Sequence, residues 1–116
     1  MKPTEQWRTQ SAENQLCLHL HIPANLSWFR GHFPTQPLLP GVAQLDWVIA
    51  YGAELAPGMR FCAIDSVKFQ RPVLPASLLE LNLRWDAARS LLSFEYLLLQ
   101  EEKRQPVSSG KIKLCP

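Results

Sequence analysis

The segment from Gly31 to Asp46, GHFPTQPLLPGVAQLD, contains the residues of this chain that are best suited to chemistry. His32 can act as a base near neutral pH, and the carboxyl group of Asp46 can act as an acid. Between them, Pro40 and Gly41 favour the start of a helix, whose free backbone N–H groups attract an anion. A histidine, a carboxyl group and a helix N-terminus are the groups needed to form and stabilise an enolate.

Each of these residues also has an ordinary structural interpretation. A histidine in a loop can be an idle surface residue, and Asp46 can be exposed at the open end of a helix or paired with Arg30. Nearby aromatic residues can line a substrate tunnel or pack in a core. The sequence pattern leaves these alternatives open.

The elements that would position these residues follow from hydrophobic periodicity. The apolar segment from Val42 to about Ala56 predicts one helix, with Pro40 at its first position and Pro57 after its end. Few of its residues are strongly polar, so most of its sides should be covered. Gly52 should allow close packing against a neighbouring element.

Five segments have the pattern of β-strands. The stretch from Leu16 to Ile22 alternates strictly, and four more follow the helix: Phe61–Phe69, Leu79–Trp85, Leu91–Leu99 and Val107–Cys115. The last strand should direct Ile112 and Leu114 inward, with Lys111 and Lys113 outward. The order predicts an α+β fold, an antiparallel sheet curled around one long central helix, in a single domain over residues 1–116. Residues 1–14 are polar and are expected to form a loosely ordered leader.

Composition excludes several classes of function. The formal net charge of +2 over 116 residues is too small and too scattered for a nucleic-acid-binding protein. No apolar run approaches a membrane span, and the first residues lack a secretory signal, so we expect a cytoplasmic protein.

The potential metal ligands form no recognisable motif. Cys17, Cys62 and Cys115 have no CxxC spacing and are interpreted as free thiols of a reducing compartment. His19 and His21 share one face of a strand, but with no third ligand in evidence we assign no metal site.

Two sequence blocks resemble the hotdog-fold β-hydroxyacyl-acyl-carrier-protein dehydratases. The family signature GHFPGxPxxPG is matched position for position, except at one glycine, by Gly31, His32, Phe33, Pro34, Pro37, Pro40 and Gly41. The block IDSVKFQRPVLPASLLEL, residues 64–81, is similar to a second family stretch. The resemblance covers roughly residue 16 to the end, and GVAQLDW most resembles the small stand-alone dehydratases of aryl-polyene gene clusters.

The resemblance implies a hotdog fold and the dehydration of 3-hydroxyacyl-acyl carrier protein to the trans-2-enoyl form. His32 would remove the C2 proton, and the N–H of Gly41 would stabilise the enolate oxygen. Asp46, desolvated on an apolar helix, would stay protonated and donate its proton to the leaving hydroxyl. The acyl group could contact aromatic side chains along a tunnel: Trp28, Phe29, Phe33, Trp47 and Tyr51.

The resemblance also implies partners. The histidine and the acid of one site would come from different protomers, so a homodimer or a higher even oligomer is expected, and a heterodimer with a homologous dehydratase is an alternative. The substrate would arrive on the phosphopantetheine of acyl carrier protein, with no further cofactor. Arg30, Lys68 and Arg71 are candidates for docking that acidic partner.

Three departures from the family pattern keep other functions open. Thr35 replaces a loop glycine, Ala50 stands where a glutamine often orients the acid, and Ala76 and Ser77 replace a glycine and an aspartate. The alternatives are a hotdog acyl thioesterase and a non-catalytic acyl-binding subunit that pairs with a catalytic homologue.

Overall fold

The computed structural model describes residues 3–25 and 39–116. Within these ranges the chain forms six strands and one helix, in the order β1 (Thr4–Ala12), β2 (Gln15–His21), α1 (Gly41–Gly52), β3 (Arg60–Phe69), β4 (Leu78–Asp86), β5 (Leu91–Gln100) and β6 (Lys103–Cys115). No helix in the two described ranges has the length and apolar character needed to cross a lipid bilayer.

The strands form one antiparallel sheet in the order β1-β2-β4-β5-β6-β3, and this arrangement around a single helix is consistent with the predicted hotdog fold. The core lies between α1 and the apolar face of the sheet, where Leu18, Leu20 and Val48 are completely buried. In β6, Ile112 and Leu114 are buried and the two lysines beside them are exposed, as the alternation predicted.

Strand β5 fixes the position of α1 at two points. The hydroxyl of Tyr96 donates a hydrogen bond of 2.7 Å to the backbone carbonyl of Gln44. At the other end of the helix, a Cβ atom added to Gly52 would lie only 2.3 Å from a methyl carbon of Leu92. The absence of a side chain at Gly52 therefore lets the helix approach the sheet closely, as the sequence predicted.

The helix differs from its prediction at both ends. Pro40 is the N-cap, with an extended backbone (φ −64°, ψ 151°), so the first helical residue is Gly41. The helix ends at Gly52 and not near Ala56, because the chain continues into turns in which Leu55 and Ala56 both bond to the carbonyl of Gly52. The expectation that most sides of the helix are covered is only partly correct, since Val42 and Asp46 are exposed on one face.

The polar leader predicted for residues 1–14 is wrong. Thr4–Ala12 form the edge strand β1, which pairs antiparallel with β2. All nine of its residues are exposed, so the strand buries neither face and shows no hydrophobic alternation. Its sequence lacks the pattern from which strands are recognised, and backbone pairing with β2 supplies the structure instead.

Strand β3 is the opposite edge of the sheet and is exposed along its whole length. In the described ranges it pairs only with β6, and all ten of its residues are exposed. Phe61, Ile64, Val67 and Phe69 are large hydrophobic residues among them. An exposed edge strand of this length that carries several large hydrophobic side chains is a surface on which another chain can pair.

The interpretation of all three cysteines as free thiols is also wrong. Cys62 and Cys115 form a disulfide, whereas Cys17 remains free. Their Cα atoms lie 5.6 Å apart because the antiparallel register places Arg60 opposite Cys115 and so brings the ends of β3 and β6 together. A sequence separation of 53 residues gave no indication of this pairing.

Candidate active site

A cleft of about 330 Å³ lies at the N-terminus of α1. It is bordered by Leu39, Gly41, Gln44, Phe69, Arg71 and Pro72. Two backbone hydrogen bonds hold the segments around this cleft together. The N–H of Leu39 donates to the carbonyl of Val73 (2.9 Å), and the N–H of Gln70 donates to the carbonyl of Val107 (2.8 Å). The segment after β3 is thereby held beside the start of the helix.

Gly41 has the position that an oxyanion site requires. In the described part of the chain, the N–H groups of Gly41 and Val42 meet no backbone acceptor, while those of Ala43 and Gln44 bond to Pro40. Gly41, the first residue of the helix, borders the cleft, so the positive end of the helix dipole lies beside it. The ring of Phe69 lies against Gly41, where an added Cβ would come within 2.6 Å of it.

A buried hydrogen-bond network supports this end of the helix. The hydroxyl of Ser108 donates to the side-chain oxygen of Gln44 (2.7 Å), and Tyr96 donates to the backbone oxygen of the same residue. Burial raises the pKa of Tyr96 far above its usual value, so the phenol remains a proton donor. The sequence prediction missed this network; the signal available was a single glutamine on the apolar side of the helix.

Asp46 lies on the exposed face of α1, four residues after Val42 and on the same side. The expected desolvation of Asp46 is not found in the single chain, because its side chain is open to solvent. Residues at positions 42 and 46 point away from the sheet, which covers only the opposite face of the helix. Another surface would have to cover Asp46 to make it a buried acid.

Several predicted site residues lie outside the described ranges. They are His32, the docking candidate Arg30, and the tunnel candidates Trp28, Phe29 and Phe33. Their proposed roles stay predictions from the sequence.

The remaining candidates are described by the structure. Trp47 and Tyr51 are buried in the hydrophobic core, and burial raises the pKa of Tyr51. Lys68 and Arg71 are both exposed, at the end of β3 and just beyond it, and Arg71 borders the cleft. The structure thus brings Gly41 and Arg71 to one opening, with Asp46 on the adjoining face of the helix.

Comparison with known proteins identifies a family whose model matches this chain. A family model described as ApeI dehydratase matches residues 8–111. The dehydratase heterocomplex ApeI:P from Xenorhabdus doucetiae contains a chain that is 50% identical, with a TM-score of 0.93 and complete coverage of both chains. An uncharacterised protein from Erwinia carotovora subsp. atroseptica is 46% identical, with a TM-score of 0.93 over all of this chain and 98% of that one.

Curated relatives are similar over a shorter stretch. The 3-hydroxyacyl-[acyl-carrier-protein] dehydratase FabZ of Roseiflexus castenholzii is 37% identical over 76 residues, which are 59% of this chain and 53% of that protein. FabZ of Haemophilus influenzae is 41% identical over 73 residues, 55% of this chain and 49% of the relative. The chain therefore spans about half the length of the curated relatives that it matches.

Proposed function

This chain belongs to the ApeI-like dehydratase family, and on that premise we propose that it removes water from 3-hydroxyacyl groups held as thioesters on acyl carrier protein. The product is the trans-2-enoyl thioester, and the enzyme is a hydro-lyase. The observation that carries this proposal is the open cleft at the start of α1, where Gly41 offers a backbone N–H group. The similarity to FabZ relatives supports the reaction class.

The reaction assigns one task to each predicted residue. His32 removes the C2 proton, and the N–H of Gly41 donates a hydrogen bond to the thioester oxygen as negative charge develops there. Asp46 gives a proton to the 3-hydroxyl, which leaves as water. The substrate is carried on phosphopantetheine, and the chain's own residues supply the chemistry without a further cofactor.

From the exposure of Asp46 in the single chain we infer that a second protomer completes the working site. Strand β3 offers an exposed edge of ten residues, four of them large and hydrophobic, and its last residue, Phe69, borders the cleft. Pairing along β3 would place a partner next to the exposed face of α1 and desolvate Asp46 there. We propose that the partner is a second copy or a homologous dehydratase chain, for which the ApeI:P heterocomplex is the precedent.

Light scattering tests the interface. Ile64→Lys places a charge in the apolar edge of β3, and we expect it to weaken association by at least about 100-fold, since burying an isoleucine contributes about 1.5–3 kcal/mol and a buried lysine adds a penalty. The matched control, Thr9→Lys on the other edge strand, should associate like the wild type. A monomeric wild-type chain that dehydrates substrate would contradict the shared site.

Mass spectrometry for the loss of water tests the reaction itself. The purified chain, alone and with a homologous partner, is incubated with 3-hydroxyacyl-carrier proteins of graded length and aromatic character. We expect enoyl product, strongly reduced in His32→Ala and Asp46→Asn and retained in Glu95→Gln, an exposed carboxylate on β5. Loss of water from none of these substrates would overturn the dehydratase assignment.

The same assay separates the alternatives. A thioesterase would release free acid and thiol. A non-catalytic subunit would be inactive alone, and in the complex its His32→Ala variant would leave the rate unchanged. The ApeI:P heterocomplex is the reason to test this chain together with a homologous partner chain. An aryl-polyene substrate is part of the proposal and would appear as a preference for aromatic, conjugated acyl groups.

Docking of the carrier protein is proposed at Lys68 and Arg71, beside the cleft. Reversing both charges should lower kcat/KM for carrier-bound substrate by about tenfold or more at low salt, because charge steering acts on association. The effect should shrink as salt rises. A small thioester substrate provides the control, and an equal loss with that substrate would contradict docking.

A further inference from the structure

A cluster of three metal-binding side chains lies on the face of the sheet opposite α1. The sulfur of Cys17, a ring nitrogen of His19 and a carboxylate oxygen of Glu80 all lie within 4.8 Å of one another. None of the three has a role in the proposed dehydration. The sequence pointed to His19 and His21 without a third ligand, and the structure brings a different set together.

The sheet places these residues by alternation and register. Cys17 and His19 are two residues apart on β2, so they point to the same face, away from the buried Leu18. Strand β4 pairs with β2 so that Glu80 lies directly opposite His19 and diagonal to Cys17. Both strands are interior to the sheet, so their spacing is fixed by ladder hydrogen bonds on both sides.

We propose that Cys17, His19 and Glu80 form a zinc-binding site. A thiolate, an imidazole and a carboxylate are all zinc ligands, and three protein ligands leave one tetrahedral position for water. Sulfur and nitrogen donors disfavour magnesium and calcium, which prefer oxygen. A thiolate and a carboxylate together balance the two positive charges of the ion.

Neighbouring side chains hold the ligands in place. The side-chain amide of Asn82 donates to one oxygen of Glu80 (3.0 Å), which leaves the other oxygen facing His19, also at 3.0 Å. The ring of Trp7 packs against that of His19, with 4.6 Å between centroids. Such supporting contacts orient metal ligands and increase their affinity.

Three features of the surroundings affect how zinc would enter the site. Cys17 borders a cleft of about 290 Å³, through which an ion can reach the sulfur. Zinc binds the thiolate, so the thiol of Cys17 must release its proton to the solvent, and burial and the charge of Glu80 oppose this step because they raise the pKa of that thiol. Arg104, 3.3 Å from Glu80, competes for the same oxygen, but its side chain is 60% exposed and free to turn outward.

Cobalt and zinc titrations of the purified chain test the site. The background Cys62→Ser/Cys115→Ser leaves Cys17 as the only thiol, so a thiolate-to-cobalt absorption band can arise only there. We expect one Co²⁺ per chain with such a band, displacement by zinc, and a rise in Tm on adding zinc. Cys17→Ser should abolish the band, and His19→Ala and Glu80→Gln should each lower zinc affinity by at least about tenfold.

Two further variants sharpen the test. His21→Ala, on the same strand face, is the matched control and should bind zinc like the background. Arg104→Gln removes the competing cation and should increase zinc affinity. The proposal is overturned by a band that survives Cys17→Ser, by equal losses in His19→Ala and His21→Ala, by the absence of saturable binding in a folded background chain, or by weaker binding in Arg104→Gln. Activity is not measured in this test, so its result is independent of the dehydratase proposal.

Discussion

Replacing Gly41 with alanine should separate catalysis from stability. The backbone of Gly41 is helical, a conformation that alanine adopts readily, and the substitution by itself stabilises a helix by about 0.4–1 kcal/mol. The new Cβ would lie 2.6, 2.9 and 3.1 Å from three ring atoms of Phe69. Because Phe69 is 49% exposed in the single chain, its ring can rotate away at low cost there. The free energy of unfolding should therefore change by no more than about 1 kcal/mol.

Activity should respond differently. The added methyl group and the displaced ring occupy the approach to the N–H of Gly41, which the proposed reaction needs as a hydrogen-bond donor. Losing one oxyanion donor costs about 2.7–4 kcal/mol of transition-state stabilisation, a fall in kcat of about 10²–10³-fold. Denaturant unfolding and dehydration kinetics on the same sample measure both quantities.

A second glycine provides the control. Gly58 has a φ of +80°, with no atom within 4 Å of an added Cβ. Gly58→Ala should lose about 1–2 kcal/mol of stability from backbone strain and keep its activity. Wild-type kcat in Gly41→Ala would refute the oxyanion role. A loss of more than about 3 kcal/mol of stability in that variant would refute the argument that the Phe69 ring moves freely.

Three further predictions concern stability. Gly52→Ala should destabilise the fold by about 1–3 kcal/mol in denaturant unfolding, because its Cβ meets the fully buried Leu92 at 2.3 Å; a neutral result would mean that the helix can shift. Tyr96→Phe should lower the free energy of unfolding by about 1–3 kcal/mol, because the carbonyl of Gln44 stays buried but loses the hydrogen bond from the Tyr96 hydroxyl. An unchanged midpoint of denaturant unfolding would contradict this prediction. Burial raises the pKa of Glu80, but hydrogen bonds from Asn82 and His19 and the charge of Arg104 outweigh this effect, so the pKa of Glu80 lies below its usual range. Glu80 therefore stabilises the fold above its unfolded-state pKa, and this contribution disappears as pH falls through the folded-state pKa. Glu80→Gln should flatten this part of the profile of unfolding free energy against pH, and an unchanged profile would argue against it.

Much of the fold was predictable because local patterns encode it. Alternation identified β2, β3, β4 and β6, and a run that is apolar on both faces identified β5, with ends correct to within a few residues; the apolar run after Pro40 identified α1. The inward direction of Ile112 and Leu114 followed from the same alternation. Strand β1 was missed because an edge strand exposed on both faces needs no apolar alternation, and only pairing with β2 reveals it.

The candidate site, too, was predicted only where its features depend on residues close together in the sequence. The motif placed Gly41 at the start of a helix, and the structure agrees. The expected desolvation of Asp46 depended on what covers its side of α1, and in the single chain Asp46 is exposed. The hydrogen bonds of Gln44 were not predicted because its partners, Ser108 and Tyr96, are more than fifty residues away in the sequence.

The sequence by itself therefore determined which residues face the core and where the helix begins, because these properties depend on neighbours a few positions apart. Tertiary structure alone decided the Cys62–Cys115 disulfide, the exposed edge at β3, and the position of Glu80 opposite His19. Each of these depends on strand order and register. Register is set by the packing of the whole sheet, and a single strand carries no record of which residue will lie across from it.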